Sequence, residues 1–294
     1  MRHAVSYGRE DLMGLARAIN SSSASNVVNR IQEALDHAVS AIAPLISEPG
    51  KVDFKSGDDP VTEADRVING ILYERLVRDG EGWLSEENAD DLGRLERKHI
   101  WVVDPLDGTR EFVAGIPEWC ISVGFIENGK AVAGGICNPA TGEMFLGSLE
   151  RGVTYNGSTA RCTRQESLTG ATVLASRSEV KRGEWQQFEE CSFKVDPKGS
   201  VAYKLALVAA GLADATWTLC PKHEWDVAAG TALVTAAGGF VKKLDGTAVT
   251  FNNPPCVLPG LLAGASLLNP ELPLFLDESR RRNGSARKPL RSSL

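Results

Sequence analysis

The stretch Trp101-Val102-Val103-Asp104-Pro105-Leu106-Asp107-Gly108-Thr109-Arg110-Glu111-Phe112 constrains this chain more than any other. An apolar run from His99 to Val103 reads as a buried strand and ends in two aspartates three residues apart. Pro105 between them fixes φ and has no N–H to give to a ladder. Gly108-Thr109 follow, then an apolar-spaced segment that can open a helix. Two carboxylates and a hydroxyl therefore sit on a tight strand-to-helix turn, where free backbone N–H groups point outward. Such a turn suits metal ions held together with a phosphate. Asp, Gly and Pro also make ordinary surface turns, so this stretch alone leaves both readings open.

The 294 residues give room for two domains or one large one. With 43% hydrophobic and 24% charged residues, a sizeable core is within reach. No apolar run approaches the roughly 20 residues of a membrane helix. The first residues lack the apolar core of a signal peptide, so the expectation is a cytoplasmic protein with no membrane contact. Six cysteines are spread along the chain without a Cys-x-x-Cys pair, which argues against a zinc ribbon, a redox motif or a disulfide framework. Net charge is -6, although Ser279–Leu294 carries six basic residues and no acid. The body is thus strongly acidic, which argues against a surface that coats nucleic acid. A phosphate substrate is still compatible if bound cations supply positive charge. The basic tail is expected to be a disordered end, with a nucleic-acid or membrane contact there as the minor reading.

Val28, Ile31, Leu35, Val39, Ile42 and Ile46 recur at helical spacing and predict a helix over 26–46. Before it, residues 10–24 read as weakly organised, with Ser21-Ser22-Ser23 as a linker. Thr62 and Asp65 look like a capping pair opening a helix that Gly80 closes. Strands are expected at Trp83-Leu84 and at His99–Val103, with a charged loop over 89–98. Hairpin signals follow at Asn128-Gly129 and Asn156-Gly157. Beyond 165 the pattern alternates: a strand over 172–175, a helix over 179–190, a strand over 191–195, a helix over 201–210 and a strand over 213–219. A helix over 226–237 stops at Gly238-Gly239, and a last strand spans 261–265. This predicts an α+β first half and an α/β second half joined near 160. The expected units are an extension (1–24), an α+β domain (25–160), an α/β domain (161–275) and the tail (276–294).

Four acidic motifs stand at element boundaries: Glu63-Ala64-Asp65, Glu86-Glu87, Asp104-x-x-Asp107 and Trp225-Asp226. Each alone is what a solvated strand end or helix start looks like. Together they can converge only if something offsets their repulsion. Hard divalent cations do this with oxygen ligands, and Mg²⁺ favours sites shared between carboxylates and phosphate. No His or Cys cluster suggests zinc. The Asp-x-Asp of aspartyl-phosphate phosphatases, Gly-x-Ser-x-Gly, a Walker A run and Gly-x-Gly-x-x-Gly are all missing.

The ordered blocks Asp59-Pro60-Val61-Thr62-Glu63-Ala64-Asp65, Ser85-Glu86-Glu87, Asp104-Pro105-Leu106-Asp107-Gly108-Thr109 and Trp225-Asp226-Val227-Ala228-Ala229-Gly230 resemble the inositol monophosphatase superfamily over roughly residues 26–270. These are lithium-sensitive, magnesium-dependent phosphomonoesterases. The resemblance implies a five-layered αβαβα sandwich, often a homodimer, with two or three Mg²⁺ per site. It implies that Glu86, Asp104 and the Leu106 carbonyl ligate a first metal. Asp104, Asp107 and Asp226 would ligate a second. Thr109, assisted by Asp65, would orient the attacking water, and the Gly108 and Thr109 N–H groups would hold the phosphate. A catalytically degenerate relative that only binds a partner or RNA is the reading from another class. Every expected acid is present, which weighs against it.

Within the family, Asp107-Gly108-Thr109-Arg110-Glu111-Phe112 is similar to the Asp-Gly-Thr-Lys-Glu-Phe of 3′(2′),5′-bisphosphate nucleotidases, as are Gly199–Lys204 and His223-Glu224-Trp225-Asp226. Inositol enzymes place a glutamate shortly before Trp-Asp to bind ring hydroxyls; the nearest counterpart here is Thr218. The resemblance therefore favours 3′-phosphoadenosine 5′-phosphate as substrate, with inositol 1-phosphate as the alternative. Lys55, Arg110, Lys204 and Lys222 are the basic residues expected near a second phosphate. Ser85 and Asn88 depart from the Gly and Ser of many relatives and leave the surroundings of Glu87 open.

Overall fold

Ile31, Leu35, Ala38 and Ile42 are wholly buried, and they form the inner stripe of helix α1 (Arg9–Ser47). The molecule is represented by a computed structural model, which describes residues 9–47, 52–54 and 60–286. Helix α1 runs unbroken through Ser21-Ser22-Ser23, where the sequence suggests a linker. No Gly or Pro interrupts residues 15–43, and a serine inside a helix costs only about 0.5 kcal/mol relative to alanine. Strands β1 (Val52–Phe54) and β2 (Pro60–Thr62) pair antiparallel; Lys55 and Asp59 lie outside the described residues. Helix α2 (Glu63–Leu76) starts as expected, with the Thr62 amide and hydroxyl each donating to Asp65 Oδ2 at 2.7 Å.

Strand β3 (Gly82–Ser85) lies parallel to β4 (His99–Asp107). The sequence ends β4 at Val103, yet pairing continues. Asp104 faces Ser122, and Asp107 faces Cys120, so three steps on one strand meet two on the other. This is a bulge, and Pro105, which cannot donate, sits inside it. Gly108 then takes φ 101° and opens the short helix α3 (Thr109–Val113). A meander follows: β5 (Cys120–Glu127), β6 (Lys130–Asn138), β7 (Glu143–Ser148), β8 (Gly152–Tyr155) and β9 (Ser158–Ala160), giving a seven-stranded sheet in chain order from β3 to β9. Both Asn-Gly turns have positive φ at each residue, as tight hairpins require.

The second half holds β10 (Thr172–Ser176), α4 (Arg177–Lys181), β11 (Lys194–Lys198), α5 (Val201–Ala209), β12 (Ala215–Thr218), β13 (Lys222–His223), α6 (Glu224–Ala236), β14 (Phe240–Lys243), β15 (Val257–Leu258), β16 (Leu261–Gly264) and α7 (Glu271–Ala286). A five-stranded sheet has the order β11-β10-β12-β16-β14; β10 is parallel to both neighbours and β16 antiparallel to both of its own. The helix expected over 179–190 stops at Lys181, because Gly183 turns left-handed at φ 78°. The strand expected over 191–195 starts three residues later and tolerates Pro197 because it is an edge strand. Strands β13, β14 and β15 and helix α7 were not legible as elements. Helix α7 reaches Ala286, so the expected disordered tail begins as helix; residues 287–294 lie outside the described residues.

Three apolar clusters define five layers. One joins α1 and α2 to the seven-stranded sheet; one joins that sheet to α5, α6 and the five-stranded sheet; the third joins the five-stranded sheet to Trp185, Phe188 and α7. The expected αβαβα sandwich is thus present.

Helix α6 approaches the large sheet closely because Gly124 and Gly134 face each other in β5 and β6. A Cβ at Gly134 would come within 2.6 Å of the Ala229 carbonyl, and one at Gly124 within 2.8 Å of the Ala228 Cβ. The start of α6 is pinned as well. Buried Glu224 accepts from the Asn252 amide (2.7 Å), the Asn253 amide (2.9 Å) and Asn253 Nδ2 (2.7 Å). Arg94, from the charged loop, donates to Asn252 Oδ1 (2.6 Å), the Asn253 carbonyl (3.0 Å) and Asp90. Gly134→Ala should therefore overpack the α6–sheet contact and destabilise the protein by about 1–3 kcal/mol, read as a lower urea midpoint at unchanged slope; an unchanged midpoint would contradict the close approach.

Candidate active site

The expected acids stand at the ends of different elements and reach one cleft of about 520 Å³. Glu86 follows β3, Asp104, Leu106 and Asp107 belong to the end of β4, Thr109 opens α3, and Asp226 is in the first turn of α6. All of these, with Gly108 and Arg110, line the cleft. Asp65 stands behind it at the start of α2, with Oδ1 3.4 Å from Thr109 Oγ1. The same hydroxyl lies 3.0 Å from the Leu106 carbonyl. It has one proton, so it can serve one of these acceptors at a time.

Each aspartate is held by a backbone amide. Leu106 N donates to Asp104 Oδ1 (3.0 Å), Ala202 N to Asp107 Oδ2 (2.7 Å) and His223 N to Asp226 Oδ2 (3.0 Å). The loop after β3 is fixed by departures that the sequence left open. Ser85 Oγ donates to Asn69 Oδ1 (2.7 Å), while Asn88 Oδ1 accepts from Trp83 Nε1 (2.9 Å) and Asn69 Nδ2 (3.0 Å).

The electrostatics of the cleft are unfavourable without a counter-charge. Burial pushes the Asp104 carboxyl well above its usual range, and Glu86, Asp107 and Asp226 push it further. Asp226 is pushed up to about 7, chiefly by burial and also by Asp107 and Glu86; Lys222 opposes the rise. A set of carboxylates, half-buried around the fully buried Asp104, beside a main-chain carbonyl is the donor chemistry of a hard divalent cation. The residues present fit such an ion.

A side chamber of about 130 Å³ adjoins the cleft and shares Asp107, Gly108, Arg110, Glu111, Ser178 and Lys222 with it. Its basic lining is Arg110, Arg177, Lys198, Lys204 and Lys222. Arg177 and Lys198 were not singled out in the sequence; they come from β10–α4 and β11, whose boundaries the pattern misplaces. Lys204 is buried at 2% exposure, and its Nζ donates to the Ser200 carbonyl at 2.8 Å. Thr218 is buried and donates to Glu179. On the cleft wall, His223 and Trp225 stack face to face at 4.3 Å.

Two other features lie apart from this chemistry. Glu179, Glu184 and Cys220 come together, but Thr218, Trp185 and Arg182 already partner their carboxylates. A cavity of about 360 Å³ beside Arg30, His99 and Phe125 has its half-buried carboxylate, Glu81, paired with Arg30 and Trp101.

Comparison with known proteins shows the family and the fold. The model of the Inositol monophosphatase family matches residues 23–272. An inositol-1-monophosphatase of Mesorhizobium japonicum is 35% identical over 206 residues, covering 67% of this chain and 76% of that protein. A fructose-1,6-bisphosphatase/inositol-1-monophosphatase of Thermotoga maritima is 32% identical over 206 residues, covering 66% and 76%. The crystal structure of the extragenic suppressor protein suhB from Bartonella henselae superposes with a TM-score of 0.72 at 29% identity, covering 86% of this chain and 99% of that one.

With no cation bound, the Asp226 carboxyl titrates near 7 when folded, against an ordinary value of 3.8. Between those values the folded state holds the extra proton, so this group's contribution to stability is present at acid pH and lost as pH rises toward 7. Metal-stripped protein should melt at a lower temperature at about pH 7.5 than at about pH 5, and saturating Mg²⁺ should narrow the difference. A difference that Mg²⁺ leaves untouched would show that the acid cluster is not its source.

Proposed function

The chain belongs to the inositol monophosphatase family and is a phosphatase of that family; we propose that it is a Mg²⁺-dependent phosphomonoesterase acting on a small metabolite with two phosphates, 3′-phosphoadenosine 5′-phosphate, to give AMP. The observation that carries the substrate class is the basic side chamber beside the acid cluster. One phosphate enters the cleft among the carboxylates, and the chamber lined by Arg110, Arg177 and Lys222 takes the second. The His223–Trp225 stack offers an aromatic face to a base. Thr218 has no carboxylate to offer ring hydroxyls, and its own hydroxyl is turned to Glu179.

In this reading Glu86, Asp104 and the Leu106 carbonyl would hold one Mg²⁺, and Asp104, Asp107 and Asp226 would hold a second; the ions, when bound, would supply an acidified water and offset charge on the leaving oxygen. The chain's own residues do the rest. Asp65 takes the Thr109 hydroxyl proton, which leaves the Thr109 oxygen free to accept from the attacking water. The N–H groups of Gly108 and Thr109 orient the phosphate for in-line displacement without a covalent intermediate. Buried Thr62 keeps Asp65 aimed at Thr109 through its two hydrogen bonds. The reading carries with it inhibition by Li⁺ and a homodimeric, cytoplasmic protein.

Inositol 1-phosphate is the second reading, favoured by the activity in the name of the 35% identical relative. A comparison of kcat/KM on the two esters with Mg²⁺, with and without Li⁺, decides between them; the nucleotide should be preferred by at least about tenfold. Preference for inositol 1-phosphate would overturn the choice. Asp226→Asn should remove at least nine-tenths of kcat, roughly 1.4 kcal/mol or more in barrier, while circular dichroism stays unchanged. Retained activity would remove Asp226 from the ligand set.

A further inference from the structure

We propose that Ser200 is a positioning residue that fixes Asp107 as a one-oxygen metal ligand, and that Lys204 belongs to the same device; this rests on the proposed role of Asp107 as a ligand. Ser200 and Asp107 come from different halves of the chain. Asp107 ends β4 in the seven-stranded sheet, and Ser200 precedes α5. Asp107 Oδ2 accepts from Ser200 Oγ and from Ala202 N, both at 2.7 Å. Two donors at that distance occupy this oxygen and turn the carboxylate so that Oδ1 is the atom left for a cation.

The direction of the hydroxyl bond follows from its neighbours. Tyr203 N donates to Ser200 Oγ at 2.9 Å. Cys120 Sγ lies 3.3 Å away, and burial raises that thiol so that it keeps its proton and can donate too. The single hydroxyl proton is therefore directed to Asp107.

The backbone of Ser200 is strained in the sense that matters for a side chain. It has φ 53° and ψ 126°, outside the conformations an L residue ordinarily takes. Such a residue persists where its surroundings over-determine it, and three ties do so here. Gly199 N donates to Glu118 Oε2 at 2.8 Å. Arg177 grips the same carboxylate at 2.6 and 2.7 Å. Lys204 Nζ holds the Ser200 carbonyl at 2.8 Å and reaches the Lys198 carbonyl at 3.4 Å. A Cβ at Gly199 would lie 2.6 Å from the Glu118 carbonyl, so the loop admits glycine alone there. Lys204, which the sequence suggests as a phosphate contact, lines the side chamber and holds these carbonyls with its ammonium from a buried position.

The strain supplies the test. Ser200→Gly relieves the positive φ but removes the hydroxyl, so stability and metal affinity should part company. In metal-stripped full-length protein, the melting temperature of Ser200→Gly should equal or exceed that of the parent. Mn²⁺ binding, followed by electron paramagnetic resonance of the free ion, should show one site weakened by about 10–100-fold and the other unchanged. Ser200→Ala should weaken the same site and also lower the melting temperature, since it keeps the strain. Affinity unchanged in both variants, or falling only in step with melting temperature, would overturn the proposal and leave Ser200 a structural residue. Asp107→Asn separates the two levels. If it weakens Mn²⁺ while Ser200→Gly does not, the positioning role fails alone; if Asp107→Asn binds Mn²⁺ as the parent does, the ligand assignment fails and takes the proposal with it.

Discussion

Buried carboxylates repel one another, and much of this structure is explicable as a frame that brings them together despite that. Asp104 and Asp226 both have their carboxyls raised by burial and by their acidic neighbours. Such a corner is stable only when protonated or when a cation is present. The fold fixes the acids beforehand. Glu86, Asp104 and Asp107 arrive on adjacent strands of one sheet, and Asp226 arrives on a helix pressed against that sheet where two facing glycines remove the side chains between them.

One local device recurs at each aspartate. A carboxylate oxygen is tied to a main-chain amide within the same turn, or at Asp107 across to the start of α5. At Asp65 and Asp226 the arrangement is that of an acid in the first helical turn reaching back to the residue that precedes the helix. Helix starts of this kind cost the chain little, because those amides need acceptors in any case. The geometry of the cleft thus grows from ordinary capping and turn hydrogen bonds, and at Asp65 the second oxygen reaches Thr109.

Much of this was legible beforehand. The apolar period of residues 26–46, the Asn-Gly hairpins and the four acidic blocks each follow from local chemistry, and the structure has the expected helix, turns and convergence. The losses share a cause. Helix α4 ends at a left-handed Gly183, β11 carries a proline on an edge, and α1 continues through three serines; in each case tertiary position overrides propensity. Lys204 reads as a surface lysine or a phosphate contact because nothing in one sequence shows that it is buried under the Ser200 carbonyl. Ser200 itself gives no sign that its φ is positive, since the loop is held there through Glu118, a residue some eighty positions away, and through the buried Lys204 ammonium.

The charged loop between β3 and β4 looks like the most expendable segment of the chain. Arg94 changes its meaning. With 1% of its side chain exposed, it joins Asp90 to Asn252 and the Asn253 carbonyl, and those asparagines in turn hold Glu224 at the head of α6. The loop works as a tenon seated in the far half of the molecule. Shortening it, or grafting a longer loop from a relative in its place, would loosen the mount of Asp226 without touching any residue of the cleft. Loop exchange in this protein is therefore a change to the candidate site, and segment boundaries chosen from hydrophilicity would cut through the joint that carries it.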